Sequence, residues 1–208
     1  QRQMCIRDRC IKRELKLAII ENKYRIGVKY VNQNRLLTLR GIILLLEDLA
    51  CRHSDMVGFG INDTLKTNLS WVLLNWKIKI LKEANYGSTV TVKTWSRDTN
   101  KLYTYRDFEI YDENNNLICI ASSKWVLLST KTGHITQITD EIRNAYNPEN
   151  KTVFEEPEIS KLIEPSNANE TFSFRVNRRD IDINNHMNNL YYLDYALEAL
   201  PEDVYLKK

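Results

Sequence analysis

The chain has 208 residues, of which 43% are hydrophobic and 27% charged, and its formal net charge is +3. This length suffices for one large domain or two small ones, and the charge is too small to favour a nucleic-acid partner. There is no run of 18 apolar residues and no signal-peptide pattern, so we expect a cytoplasmic protein without a membrane span. The four cysteines show no CxxC spacing, which supports neither a disulfide framework nor a zinc site, and no cofactor is indicated.

The first elements follow an unusual N-terminus. The first ten residues resemble translated sequencing-adaptor read-through, so we exclude them from fold reasoning and treat residues 1–22 as an extension that is in part artefactual. Alternating apolar and polar residues at 24–30 predict a strand. Residues 36–50 are almost wholly apolar and too numerous for a typical strand, so they predict a helix that is buried on most sides.

A series of strands is predicted next. Four stretches alternate with the period of two that half-buried strands show. These stretches are residues 76–80, 89–95, 103–111 and 117–128. One buried helix followed by an antiparallel series predicts an α+β fold in which the sheet wraps around the helix. Residues 131–169 are polar and contain three prolines, which predicts a linker with one short helix near 139–146.

A weak internal repeat begins after the linker. A shift of 150 residues aligns Tyr24, Ile26, Asn32, Asn34 and Asp48 with Phe174, Val176, Asp182, Asn184 and Glu198. Both halves therefore predict a strand, a polar loop and a helix, which are two copies of one structural unit. The first copy has Leu36 where the second has His186, so only the second loop can perform acid–base chemistry.

The candidate catalytic residues lie in this second loop. Asp182, Asn184 and His186 are two residues apart, so in an extended segment their side chains point the same way. His186 suits a general base or a water-orienting role, Asn184 can bind a carbonyl or a water, and Asp182 can orient its partners. Backbone N–H groups near Asn188 and Asn189 can receive an oxyanion at the predicted helix start. Capping and turn roles are the structural alternative, and Asn188 and Asn189 are evenly divided between the two.

The chain resembles the acyl-acyl carrier protein thioesterase family, bacterial type. The resemblance rests first on Asp182-x-Asn184-x-His186-x-Asn188-Asn189. First-half segments in the expected order add to it: Trp71-Val72-Leu73, Thr94-Trp95, Tyr105-Arg106-Asp107-Phe108-Glu109-Ile110 and Ser122-Ser123-Lys124-Trp125-Val126-Leu127. It implies a tandem hotdog fold, in which each unit is an antiparallel sheet wrapped around a long helix. It also implies hydrolysis of thioesters on an acidic acyl carrier protein to free fatty acid and holo carrier protein, terminating fatty acid synthesis.

The resemblance also divides the chain. Residues 23–130 are expected to form the first hotdog unit with the acyl pocket, residues 131–169 the linker, and residues 170–208 the start of the second, catalytic unit. The family's second unit continues through further strands, one of which carries a catalytic Glu, so we expect this chain to be truncated after Lys208. Two alternatives remain open, a hotdog acyl-CoA thioesterase and a catalytically silent acyl-binding module. The acyl-chain length and any oligomerisation are not determined.

Other polar and aromatic residues receive structural interpretations. His53 and His134 are expected to be structural, and Arg106 with Asp107 is expected to form an ion pair on a strand face. The four tryptophans are expected in the core and sheet, with some lining an acyl tunnel. The lysines of residues 77–82 usually indicate a solvated strand face, and an acidic carrier protein is the less favoured interpretation. The absence of Gly-x-Ser-x-Gly disfavours an α/β-hydrolase.

Overall fold

The computed structural model describes residues 18–98, 100–163, 166, 172–182 and 185–205. Its strands are β1 (Ile19–Arg25), β2 (Leu69–Ile80), β3 (Thr89–Ser96), β4 (Tyr103–Tyr111), β5 (Leu117–Ser129) and β6 (Ile135–Thr136). Its helices are α1 (Leu39–Met56), α2 (Thr64–Thr67), α3 (Asp140–Tyr146), α4 (Asn189–Glu198) and α5 (Glu202–Tyr205). Short 3₁₀ turns lie at Val28–Tyr30, Ile61–Asp63 and Arg178–Asp180. Within the described ranges, no helix is both long and apolar enough to cross a membrane.

The strands form one antiparallel sheet in the order β1-β3-β4-β5-β2, with β6 paired to β5. The sheet wraps around α1, whose residues Ile42, Leu45, Leu46 and Leu49 are buried in the main core. Their spacing places them on one face of the helix, and this face is buried with apolar residues of β1, β3, β4 and β5. The predicted α+β hotdog arrangement is therefore confirmed.

The predicted elements overlap those of the structure except at two strands, and the strand predicted at 76–80 is only the C-terminal part of β2, which begins at Leu69. The first strand is displaced, because β1 ends at Arg25 and residues 28–30 form a 3₁₀ turn instead. Tyr30 in this turn accepts hydrogen bonds at its carbonyl from the backbone and hydroxyl of Thr38, which fixes the entry to α1. The strand expected near Phe174 and Val176 is not formed, because no described strand lies beside these exposed residues to complete its hydrogen bonds.

Residues 131–163 pack on both faces of the sheet. A second core cluster joins Leu127 of β5 to Ile138, Ile142 and Tyr146 from β6–α3. On the opposite face, the backbone of Lys151 accepts a hydrogen bond from Trp95 Nε1 at 2.9 Å, and the Val153 N–H donates to Asp107 at 3.1 Å. This segment therefore covers the outer face of β3 and β4.

Candidate active site

The second loop repeats the backbone of the first at the 150-residue offset that the sequence predicts. The 3₁₀ turns Val28–Tyr30 and Arg178–Asp180 correspond, and a bridge between Val31 and Leu37 corresponds to one between Ile181 and Met187. Each loop contains a residue with positive φ, at 63° for Arg35 and 61° for Asn185. Helices α1 and α4 then begin at Leu39 and Asn189. The structural duplication is confirmed at the level of individual backbone hydrogen bonds.

Asp182 organises the loop. Its Oδ1 accepts the backbone N–H of His186 at 3.2 Å, just as Asn32 Oδ1 accepts the N–H of Leu36 at 3.1 Å in the first copy. In addition, the His186 carbonyl accepts the N–H of Asp182 at 2.8 Å. Asp182 thus fixes the backbone position of the histidine through the type of turn that Asp and Asn side chains favour.

The start of α4 leaves one backbone donor available. Asn188 is the N-cap, and its Oδ1 accepts the N–H of Leu190 at 2.9 Å, while its own N–H donates to the Asp180 carbonyl at 2.8 Å. Within the described residues, the N–H of Asn189 has no hydrogen-bond partner. A helix N-terminus favours negative charge, so this N–H is able to donate a hydrogen bond to an anionic oxygen. Asn184 lies outside the described residues.

A buried carboxylate that the local sequence pattern does not indicate lies beneath this loop. Asp180 is 0% exposed, and its Oδ2 accepts hydrogen bonds from the Tyr195 hydroxyl at 2.5 Å and the Asn177 N–H at 2.7 Å. The Tyr195 hydrogen bond is the main cause that lowers the pKa of Asp180. A comparison of the two copies could have identified this pair, because the residues of the first copy that correspond to Asp180 and Tyr195 are Tyr30 and Leu45. The carboxylate and its tyrosine partner therefore occur together only in the second copy.

A cavity of about 1120 Å³ connects the loop to the first unit. From the second half it is lined by Ile181, Asp182, His186, Met187, Asn188 and Asn189. The other walls are contributed by α1, β2, β3, β4 and β5 of the first unit and by α3 of the segment that follows it, with Trp71 and Trp125 among the apolar residues. The structure therefore brings Asp182, the exposed His186, Asn188 and Asn189 to one opening. This volume is at the upper end of small-molecule sites in proteins.

Arg106 lies at this cavity and corrects one prediction. Its Nη1 lies 2.9 Å from His53 Nδ1 and donates to Thr94 Oγ1 at 3.3 Å, and burial lowers its pKa. Asp107 points to the opposite face of β4, as consecutive strand residues do, and pairs with Arg97 at 3.6 Å. The predicted Arg106–Asp107 ion pair was therefore wrong, because the two side chains lie on different faces.

Glu47 is a second cavity residue that sequence analysis does not single out. It is half-buried on α1, and burial raises its pKa to about 7. The neighbouring Cys51 also lines the cavity, and burial followed by the charge of Glu47 raises the pKa of its thiol to about 11. Such a thiol is protonated near neutral pH and is a poor nucleophile. The sequence feature that could have identified Glu47 is its position, because this charged residue interrupts the apolar run of α1.

Comparisons with known proteins match both parts of the chain to domains of one protein family. The acyl-ACP thioesterase N-terminal domain matches residues 18–146, and the C-terminal domain matches residues 163–208. Oleoyl-acyl carrier protein thioesterase 2, chloroplastic, of Arabidopsis thaliana is 31% identical over 202 residues, which are 89% of this chain and 53% of the relative. The chain thus spans about half the length of the curated relatives that it matches.

Solved structures share the fold. An acyl-ACP thioesterase from Bacteroides thetaiotaomicron VPI-5482 aligns with a TM-score of 0.78 and 24% identity, covering 91% of this chain and 76% of that one. The 12:0-ACP thioesterase from Umbellularia californica aligns with a TM-score of 0.77 and 22% identity, covering 89% and 76%. The domain matches account for most of the sequence, and the fold agrees with them. The chain belongs to the acyl-ACP thioesterase family.

Proposed function

We propose that the protein hydrolyses acyl thioesters of acyl carrier protein and releases a free fatty acid and the holo carrier protein. One observation carries the proposal: Asp182 and His186 line the same cavity as the apolar walls of the first unit. A single ligand can therefore place an acyl chain in the first unit and its thioester at the loop. Relatives that are named as oleoyl- and palmitoyl-acyl carrier protein thioesterases support the choice of carrier. A cytoplasmic location stays a prediction.

The proposed mechanism uses water as the nucleophile. The His186 imidazole accepts a proton from a water molecule while the water oxygen attacks the thioester carbonyl carbon. The N–H of Asn189 donates to the oxyanion that develops on the carbonyl oxygen. The intermediate then expels the pantetheine thiolate, which takes the proton from the imidazolium. Asp182 positions the His186 backbone, and Asn184 keeps its predicted role of holding the carbonyl or the water.

The substitution His186→Leu tests this mechanism. The first copy carries Leu36 in the same backbone conformation, so leucine is compatible with the loop and the fold should persist. We expect kcat/KM for medium- and long-chain acyl-ACP thioesters to fall by a hundredfold or more, because general acid–base catalysis contributes roughly 10²–10⁴-fold. The assay is run on the 208-residue chain and, as a separate sample, on any longer product of its gene.

The matched control is His134→Leu at an exposed turn, which should retain activity. Wild-type activity in a folded His186→Leu variant would contradict the mechanism. Hydrolysis of acyl-CoA but not of acyl-ACP would identify the alternative carrier. Acyl binding without turnover of either thioester would instead identify a binding module.

A further inference from the structure

One wall of the cavity is a polar stripe on α1. Glu47, Cys51 and Ser54 are four and three residues apart, so they share the helix face that lines the cavity. The Ser54 hydroxyl donates to the Ala50 carbonyl at 3.2 Å and accepts from the Tyr146 hydroxyl at 2.9 Å. Within the part of the chain that the structure describes, the Glu47 carboxyl has neither a hydrogen bond nor an ion pair, so its oxygens are free to bind a ligand.

The cations of the cavity do not neutralise Glu47. Three arginines contribute to the lining, and each is engaged elsewhere. Arg97 pairs with Asp107 at 3.6 Å, and Arg143 pairs with Asp98 at 2.6 Å. Arg106 is held by His53 and Thr94, as described above. Glu47 therefore presents its carboxyl to whatever enters the cavity.

A plain alkyl chain is a poor match for this wall. It would displace the water around the Glu47 carboxyl and supply no hydrogen bond in return, and a polar group buried without a partner is costly. A chain that carries a hydroxyl would replace the displaced water. A site that is built to hydrogen-bond a ligand hydroxyl discriminates strongly against the analogue that lacks it.

We propose that Glu47 is a specificity-determining residue and that the cavity selects acyl chains that carry a hydroxyl group near their carbonyl end. This inference rests on the proposed function and names the substrate class for the same cavity. The position of the hydroxyl follows from α1. Glu47 and Asn189, the proposed oxyanion donor, line the same cavity. Asn189 also lines a neighbouring apolar groove with Ile43, which lies one helical turn before Glu47, about 6 Å along the helix axis. Ser54 lies about 10 Å beyond Glu47, towards the far end.

Binding of uncleavable ligands tests the inference apart from hydrolysis. The probes are acyl-pantetheine amides of one chain length, in which NH replaces the thioester sulfur: unsubstituted, hydroxylated at C3, or hydroxylated at the chain terminus. Calorimetry on the wild-type protein should give a Kd for the C3-hydroxylated amide at least tenfold below that of the unsubstituted one. The terminal hydroxyl should bring no gain.

Two substitutions at Glu47 separate the roles of its groups. Glu47→Leu should abolish the preference, by weakening the C3-hydroxylated amide and tightening the unsubstituted one severalfold. Glu47→Gln keeps an acceptor oxygen and should keep most of the preference. Arg52→Leu, an exposed change on the same helix, is the control and should leave all three Kd values unchanged.

The outcomes distinguish this inference from the proposed function. Equal binding of plain and C3-hydroxylated amides by the wild type would overturn it, as would an unchanged preference in Glu47→Leu. Loss of kcat in Glu47→Leu with unchanged Kd values would also overturn it, because Glu47 would then act in the hydrolytic step. A hydroxyl preference in binding without any thioester hydrolysis would uphold the selectivity and reject the hydrolase proposal.

Discussion

Asp180 and Tyr195 hold the candidate catalytic loop against α4. The buried carboxylate of Asp180 accepts the Tyr195 hydroxyl, and the Asp180 carbonyl accepts the N–H of Asn188. Tyr195→Phe removes only the hydroxyl, and Asp180 keeps the Asn177 N–H and the ion pair with Arg179 at 3.6 Å. Because Tyr195 positions the loop without lining the cavity, we expect kcat to fall roughly tenfold, the cost of a lost hydrogen bond to a charged group, with KM little changed. Steady-state kinetics on acyl-ACP measures both parameters.

The control for this prediction is Tyr192→Phe. Tyr192 lies on the same helix but is 61% exposed, so loss of its hydroxyl should change neither kcat nor Tm. Tyr195→Phe should in addition lower Tm by a few degrees. A lower Tm with unchanged kcat would show that the hydrogen bond serves the fold alone.

Glu47 makes stability depend on pH in a defined window. Its pKa is about 7 in the folded protein, against an ordinary value of 4.5, because burial disfavours the charged form. Folding therefore favours the protonated carboxyl, and this contribution is complete below pH 4.5 and is lost as the pH rises through 7. Glu47→Gln is neutral throughout, so its Tm should equal that of the wild type at pH 4, below both pKa values. At pH 8 the Tm of Glu47→Gln should exceed that of the wild type by roughly 2–4 °C. This difference corresponds to about 1 kcal/mol after allowance for partial exposure of the carboxyl.

Thermal unfolding at pH 4 and pH 8 measures this difference. A Tm gap that is constant across the range would mean that Glu47 ionises normally in the folded protein. Asp48→Asn is an unsuitable control because Asp48 accepts the Tyr24 hydroxyl at 2.6 Å. Glu83→Gln serves better, since Glu83 is exposed in the loop between β2 and β3 and its substitution should leave Tm unchanged at both pH values.

The sequence identifies residues by local spacing and misses those that depend on packing. Asp182 and His186 are predicted together because they share a loop, and the structure places both at the cavity. The Asp180–Tyr195 pair joins a turn to the second turn of a helix, and nothing in the local pattern indicates which tyrosine faces inward. Glu47 looks like one more charged helix residue until the burial of that helix face is known.

Helix α1 and the turn that precedes it meet at Gly41. A Cβ at this position would lie 2.4 Å from the backbone oxygen of Tyr30, and a backbone atom cannot move aside as a side chain does. Alanine gains about 1 kcal/mol over glycine in helix propensity, yet the clash forces the helix away from the turn. We expect Gly41→Ala to destabilise the protein by a net ~1–3 kcal/mol, as overpacking does. Denaturant unfolding measures this value.

Met56→Ala is the control for that experiment. Met56 is 60% exposed at the end of the same helix, so the change should shift stability by no more than ~0.5 kcal/mol. If Gly41→Ala were stabilising instead, helix propensity would dominate and the close approach of Tyr30 would not constrain the residue.

At the level of elements, prediction succeeds where periodicity and burial agree. Strands β3, β4 and β5 and helices α1 and α3 lie close to the predicted positions. The prediction of the first strand is wrong because the alternation of apolar and polar residues at 24–30 continues through a 3₁₀ turn. Val28 in this turn is 79% exposed and contributes nothing to the core. The prediction of a strand near Phe174 and Val176 is wrong for another reason. A strand requires a neighbouring strand that completes its hydrogen bonds, and the alternation pattern carries no information about such a neighbour.

At the scale of the whole molecule, the duplication is predictable but the packing of the two copies is not. The 150-residue offset correctly aligns the loops and helix starts. It does not reveal that α4 packs on α1 through Leu190 and Leu193, beside an apolar groove that also includes Leu39 and Ile43. This packing places the second loop over the cavity of the first unit, so the site depends on contacts between the halves.

The Arg40–Asp194 ion pair tests that dependence. Arg40 Nε on α1 donates to both carboxylate oxygens of Asp194 on α4 at 3.0 Å, and both side chains are about one-third exposed. A pair of this exposure contributes roughly 0–1 kcal/mol, and Arg40→Glu adds repulsion between like charges. We expect Tm to fall slightly and the Kd of an acyl-pantetheine amide to rise severalfold, because α4 and its loop are displaced from the cavity.

Charge reversal should repair this defect. In Arg40→Glu combined with Asp194→Arg, the attraction returns with opposite orientation, so most of the ligand affinity should return as well. Lys93→Glu is the matched control: Lys93 pairs with Glu21 at 3.3 Å between β1 and β3, entirely within the first unit. It should lower Tm by a comparable amount yet leave the amide Kd unchanged. Equal loss of binding in both single variants would mean that general stability, and not the packing of α4 on α1, determines whether the cavity binds its ligand.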